Sequence, residues 1–325
     1  MKFPRRRFLE LAGVAAAASA LPLPALALDY PTRPVRFVVG FPAGGQQDTM
    51  ARLICQWLSE RLGQQFLVEN RSGAGGNVGA EAVINSPPDG YTMLLVGSPN
   101  AINATLYQKL NFVFLRDIVP VASFARTPLV IEVHPSVPVH TLPEFIAYAK
   151  ANPGKVNYAS AGIGTPQHVA AELLKILTGI NMVHVPYRGS APALVDMLAG
   201  QVQVMIDPLP ASIEFVRTGR LRPLAVTSEK RWPALPDVPT ATEFVPNYLA
   251  ESWYGAGVPR NTPTEIVDKL NREINAGLAD ARIAARIVDL GAYVVSGSPA
   301  DFRQMVADEI EKWGKVVKAS GARAE

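Results

Sequence analysis

The feature that most limits what this chain can fold into is an alternation of short apolar runs with amphipathic helical segments. "VRFVVGF" (35–41) reads as a buried strand and "DTMARLICQWLSERLG" as its helix, closed by Gly63. "QFLVEN" is a strand, followed by the Gly-rich "RSGAGGNVG", the helix "AEAVINS", the turn "PPDGY" and the strand "TMLLVGS". After "VASFARTPLVIEVHP" (121–135) the pattern restarts and runs through "LPEFIAYAKANPG", "KVNYAS", "PQHVAAELLKILTG", "MVHVPY", "APALVDMLAG", "QVQVMID", "ASIEFVRTG" and "LRPLAVTS". "KRWPALPDVPTATEF" is a Pro-rich connection, "WYGAGVP" a short apolar segment, and two helices are expected to close the chain. This is the βαβ pattern of an α/β protein. The restart near 128 and the break near 250 predict two lobes. One comprises 28–127 plus 252–325 and the other 128–251, with hinge crossings near 127 and 251.

Residues 1–27 have a different layout. Lys2, Arg5, Arg6 and Arg7 precede an Ala-rich apolar run ending in Ala25-Leu26-Ala27. That is the form of a secretory signal with an A-x-A cleavage site, and Arg5-Arg6-Arg7-Phe8-Leu9 fits the twin-arginine variant, with a general secretory signal as the alternative. The expected product is an exported periplasmic protein. Cleavage removes four of the 31 Lys+Arg and one of the 28 Asp+Glu, leaving 27 of each in about 300 residues. The basic character thus belongs to the leader, and nucleic-acid binding is not expected. The single cysteine, Cys55, reads as a buried thiol on a helix face. His134, His140, His168 and His184 share no ligand spacing, so neither a metal nor a cofactor is expected.

Two loops invite a ligand. "VVGFPAGGQQDTMAR" (38–52) and "NYASAGIGTPQHVAAE" (157–172) each run strand, Gly-containing loop, helix start. Gly44, Gly45, Gly162 and Gly164 permit positive φ and close approach. Thr165-Pro166 reads as a capping residue followed by Pro at the first helical position. Helix N-termini present unpaired N–H groups and partial positive charge, which seat anions. Neither loop has the Lys of a phosphate loop, and the Gly spacing fails the dinucleotide pattern, so a carboxylate fits better than a nucleotide. Ordinary βα turns are the alternative.

Here the sequence resembles the Bug-type periplasmic receptors of tripartite tricarboxylate transporters. The matching stretches run in order along nearly the whole chain after the leader: "YPTRPVRFVVGFPAGGQQDTMAR", "VENRSGAGGNVGAEAV", "PPDGYTMLLV", "VNYASAGIGTPQHVAAELL", "VPYRGSAPALVDMLAGQVQVMID", "LRPLAVTSEKRWPALPDVPTATE" and "WYGAGVP". The resemblance implies a two-lobed, type II Venus-flytrap fold closing over a small organic acid. It implies no catalysis, a monomer, and delivery to integral-membrane transporter subunits. Ligand contacts would come from the loops matching 41–48 and 160–165. A ligand-binding partner of a sensor system is the alternative role, and a serine hydrolase using Ser160 or Ser98 with His168 a remote one, since no G-x-S-x-G is present.

The candidate contacts are Phe41, Ala43, Gly44, Gly45, Gln46, Gln47 and Asp48 on the first loop and Ser160, Ala161, Gly162, Gly164, Thr165 and His168 on the second. Gln46 and Gln47 depart from the small or hydroxyl residues of the family, as Pro208 does from its usual Asn; the amides would shorten the pocket or read a ligand amide or hydroxyl. Asp48 either complements its helix dipole or receives an ammonium. Arg188 balances a ligand charge or forms a surface pair. Ser190 reads as a cap first and a ligand contact second, Asp207 as a cleft acceptor or hinge tie, and Tyr187 and Trp253 as cleft walls or ordinary packing. Ser98, with Pro99 and Asn100, would complete the first lobe's side.

Overall fold

The computed structural model describes residues 29–324, so the proposed leader and its cleavage site lie outside the described residues. In chain order the first half gives β1 (Val35–Val39), α1 (Gln46–Leu62), β2 (Phe66–Asn70), α2 (Asn77–Ile84), β3 (Thr92–Gly97), α3 (Ser98–Leu106), α4 (Phe114–Asp117) and β4 (Ile118–Val133). Then come α5 (Leu142–Ala151), β5 (Val156–Ser160), α6 (Pro166–Thr178), β6 (Met182–Pro186), α7 (Ser190–Leu198), β7 (Val204–Pro208), α8 (Leu209–Arg217) and β8 (Arg222–Val226). The chain closes with β9 (Glu251–Pro259), α9 (Thr264–Ala279), α10 (Ala281–Asp289), β10 (Tyr293–Val294) and α11 (Pro299–Ser320).

Two sheets meet on one strand. β2-β1-β3 run parallel, and β9 lies antiparallel between β3 and β4. β4 continues into the second sheet, where it pairs antiparallel with β7 and β8, while β5 lies parallel between β7 and β6. β4 is one strand of 16 residues, so the restart expected near 128 is a change of partners rather than a break. Up to Pro128 it pairs with β9, and from Leu129 with β7 and β8. Proline has no N–H to continue a ladder, which suits the handover. Glu251, the first residue of β9, pairs with Pro128.

Amphipathic spacing explains most helices. α1 buries Met50, Ile54 and Leu58, and Gly63 ends it at φ 69°. Cys55 is buried beside them, and burial pushes its thiol up. The expected pair of closing helices is three. Asp280 accepts from the backbone N–H groups of Arg282 and Ile283 and starts α10, which buries Ile283 and Ile287 one turn apart. α11 packs on α3, β4 and α6, so the last helix touches both halves.

Candidate ligand-binding cleft

β1 delivers the first loop to the start of α1. Pro42–Gly45 are exposed, and the Phe41 ring lies against Gly76. Gly44 takes φ 84°, as expected of a residue without Cβ, and its N–H donates to Asp48 Oδ2 at 3.0 Å. Gly45 does not take positive φ. It is extended, at φ −74°, and occupies the helix N-cap. Asp48 is nearly buried and fully engaged. Its two oxygens accept from Arg52 Nε (2.8 Å) and Nη2 (3.0 Å), and Oδ1 accepts from Asn70 Nδ2 (2.9 Å). The Arg52 fork, with the Gly44 and Asn70 bonds, lowers its pKa to about 2 against burial. An acid so committed serves the loop's geometry.

The two glutamines behave differently. Gln46 donates to Thr127 Oγ1 (2.9 Å) and the Leu290 carbonyl (3.3 Å), and accepts from the Tyr254 hydroxyl (2.9 Å). It therefore joins the loop to β4 and β9. Gln47 lies across the end of β3: an ideal Cβ on Gly97 would stand 4.0 Å from its Nε2. Its Oε1 is buried without a hydrogen-bond partner. Ser98 and Asn100 at the start of α3 are turned inward. Ser98 Oγ accepts from Trp253 N (2.9 Å) and Asn100 Oδ1 from Gly97 N (2.9 Å).

The second loop joins β5 to α6 and rests on stacked rings. His168 lies over His184 with centroids 4.2 Å apart, and His184 over Tyr158 at 4.7 Å. Ser160 Oγ is 2.6 Å from His184 Nε2 and accepts from Gly162 N at 3.1 Å. Gly164 N donates to His168 Nδ1 at 3.2 Å, which places the neutral ring's proton on Nε2. Burial, then the nearby Lys175 charge, lowers His168 to about 4. Burial and the neighbouring His168 lower His184 to about 3. Beneath them Tyr158 and Lys175 donate to Glu172 Oε1 at 2.5 and 2.7 Å. This bed is thus uncharged at neutral pH where it meets the loop.

Several expectations at this loop need correction. Thr165 occupies the N-cap but does not cap with its side chain; its hydroxyl donates to the Gly162 carbonyl at 2.7 Å, tightening the turn instead. Ser160 pairs with His184, not with His168, and is fully buried, so the Ser–His hydrolase pairing does not form. His184 is absent from the candidate contacts because it sits on a different strand. Only the parallel register, Tyr158 opposite His184, brings it under the loop.

The neighbouring segment follows the loop. Tyr187 N donates to Ser160 O (3.0 Å) and Gly189 N to Ala161 O (3.2 Å). The Tyr187 hydroxyl donates to Asp196 (2.7 Å), and Arg188 is exposed with no ion pair among the described residues. Ser190 is not a cap; Gly189 holds that position, and the Ser190 hydroxyl donates to Asp207 Oδ1 at 3.1 Å. Asp207 is fully buried and also accepts from Gln167 (3.2 Å) and Ser212 (3.3 Å). Burial raises it to about 6 against these three bonds. It ties α6, α7 and α8 together and presents no free face. Trp253 is likewise core, not cleft wall: it is buried edge-on to Phe302, with Nε1 donating to Glu309 at 3.2 Å.

Two glycines mark close approaches between the two halves. An ideal Cβ on Gly164, at φ 79°, would fall 2.3 Å from Leu106 Cδ2 on α3, and one on Gly291 would fall 2.2 Å from Pro210 Cγ. The second loop therefore abuts the helix that starts at Ser98, with no room for a side chain.

Comparison with known proteins agrees with this architecture. Residues 50–322 match the family described as Tripartite tricarboxylate transporter family receptor. The chain belongs to that family. Protein BugT of Bordetella pertussis is 38% identical over 320 residues, covering 98% of both chains. Among solved structures, R. palustris Rpa4515 with adipate is 41% identical with a TM-score of 0.82, over 90% of this chain and 99% of that one. MatC from Rhodopseudomonas palustris with bound malate is 34% identical with a TM-score of 0.78, over 89% and 100%. The tripartite tricarboxylate transporter receptors share a two-lobed fold and bind solutes rather than transform them, so this chain is a solute-binding receptor and not an enzyme.

Proposed function

We propose that this receptor works in the periplasm, where it captures a small organic acid between the loops 41–48 and 160–168 and hands it to the membrane subunits of a tripartite transporter. The observation that carries this is the pairing of two strand-loop-helix turns from opposite halves, each without a free charged side chain toward the ligand. Asp48 is consumed by Arg52 and Asn70, and the second loop rests on neutral rings. The donors these two turns offer an anion are backbone N–H groups at the starts of α1 and α6, with Arg188, exposed and without an ion pair among the described residues, on the segment beside the second loop. Hydrogen bonds to a charged group contribute roughly 1.5–3 kcal/mol each, so four or five reach the −8 kcal/mol or so of a micromolar complex, before ordering costs. The lobes would turn about the crossings near 127 and 251, where β4 changes partners and β9 begins, with the receptor acting as a monomer.

The test is a thermal-shift series with mono- and dicarboxylic acids on the leaderless protein. One acid at a hundredfold excess over Kd should add about 2.7 kcal/mol of stability and raise the Tm by several degrees. A flat response to every acid contradicts the proposal.

A further inference from the structure

We propose that Glu132 keeps its carboxyl proton in the folded receptor and, through Ser212, positions Asp207, which holds the starts of α6 and α7. For binding this rests on the cleft reading above, because those helix starts flank the second loop; the place of the proton does not depend on it. Glu132 lies on β4 in the second sheet and is fully buried, as is Asp207 on β7. Between them stands Ser212 of α8, also fully buried. Its Oγ is 2.6 Å from Glu132 Oε1 and 3.3 Å from Asp207 Oδ2. A hydroxyl has one hydrogen to give, so it cannot serve two carboxylates at once.

The count of donors decides which acid keeps a proton. Asp207 Oδ1 accepts from Gln167 Nε2 (3.2 Å) and from the Ser190 hydroxyl (3.1 Å). Glu132 has the Ser212 contact alone, and its Oε2 is buried without a partner. A buried carboxylate with neither cation nor donors takes up a proton instead. No cation faces Glu132 among the described residues. Arg222 of β8 is spent on the carbonyls of Val137 and Val139, and Arg217 of α8 pairs with Glu214 at the surface. Arg126, earlier on β4, pairs with Glu251, and His134 lies against Ser136 and Gly200. The charged group that does face it is Asp207, which adds to burial in raising Glu132 well above the usual carboxylate range. Glu132 Oε1 therefore donates to Ser212 Oγ, and the serine's own hydrogen goes to Asp207 Oδ2. Asp207 then has three donors, from α6, α7 and α8. The pair carries one negative charge, not two, behind helix starts that receive an acid.

Denaturant unfolding of the leaderless protein tests the proton. Folded Glu132 holds a proton that an unfolded glutamate releases above about pH 4.3. The unfolding constant of the wild type divided by that of Glu132→Gln should thus rise about tenfold per pH unit, or about thirtyfold from pH 5.5 to 7. A flat ratio overturns the proposal. Infrared spectra at pH 8 locate the proton. The C=O band of a protonated carboxyl should be present in the wild type, absent in Glu132→Gln and retained in Asp207→Asn; its loss in Asp207→Asn overturns the assignment to Glu132. Amide exchange over the first two turns of α6 and α7, relative to α1, reads the positioning. Glu132→Leu should exchange there about three- to tenfold faster, the size of one hydrogen bond, and Glu132→Gln, whose amide donates to Ser212, within about twofold of wild type. Wild-type exchange in Glu132→Leu, or equal acceleration in both variants, overturns the positioning role. None of these measurements uses an acid. A protein that binds no acid therefore contradicts the receptor reading and leaves this proposal standing.

Discussion

At the first loop the chain neutralises a carboxylate with its own helix; at the second it carries no ionised group against the loop and relies on stacked aromatic rings. Asp48 is set by an i,i+4 arginine and an asparagine from the next strand, an arrangement mostly local in sequence. The bed of the second loop needs residues from two strands and a helix, Tyr158, His184 and His168, which meet only once the parallel sheet has formed. Both arrangements hold a glycine N–H, that of Gly44 on Asp48 and that of Gly164 on His168. Different chemistry thus serves one end: a backbone bend fixed in place without a charge that would repel an acid.

The largest expected effect that separates the two loops is steric. Gly164→Ala places a Cβ 2.3 Å from Leu106 Cδ2 at a left-handed φ, and lobe closure on a ligand should weaken by at least about 100-fold in Kd. Gly44→Ala meets nothing within 4 Å and pays only the conformational strain, about 1–2 kcal/mol, or roughly five- to thirtyfold. Equal losses in a titration of the two variants would show that closure does not bring Gly164 against α3.

Next comes pH. His168 is lowered to about 4 from an unfolded value near 6.5, so the folded state excludes its proton. Its contribution is full above about pH 6.5 and is lost as pH falls toward 4, about 2 kcal/mol between pH 7.5 and 5. Asp48 is shifted the other way, to about 2, so its contribution persists until pH drops below about 4. At pH 5 the second loop should therefore loosen while the first holds. Amide exchange at the two loops at pH 7.5 and pH 5, corrected for intrinsic rates, measures this, and His168→Gln should flatten the response. Simultaneous loosening would contradict the assignment.

The Asp48→Asn variant sharpens the comparison from the other side. It weakens the arginine fork and should cost about 1–3 kcal/mol by denaturant unfolding at pH 7, with the difference from wild type vanishing near pH 2. The smallest effect is expected for Gln46→Ala, about 1–2 kcal/mol, from three hydrogen bonds to β4, β9 and Leu290.

What was legible in the sequence follows the range of the interactions. Strands and helices with clear periods, the αL glycine ending α1 and the buried Cys55 could be read because each depends on near neighbours. The continuous β4 could not, because apolar periodicity does not report where a strand changes partners. α10 was hidden inside a longer polar stretch, although Asp280 three residues before Ile283 was a usable capping signal. At the site, the loops were visible as Gly-containing turns, but the duties of individual side chains were not. Trp253 and Asp207 were drawn as possible cleft groups, and both are consumed by tertiary contacts far away in sequence, Glu309 for one and Gln167 and Ser212 for the other. Thr165 and Ser190 have the right residue type for caps, yet neither hydroxyl accepts from a helix N–H: Thr165 donates to the Gly162 carbonyl, and Ser190, one position inside its helix, donates to Asp207.

The account turns on one joint event, the seating of an acid against both loops. Backbone amide exchange with and without a saturating acid, read residue by residue, tests it most directly. The prediction is slowed exchange in both 41–48 and 160–168 on addition of the ligand, and in Gly164→Ala slowing confined to the loop that still touches the acid. Slowing elsewhere, with both segments unchanged while the acid is bound, would contradict it.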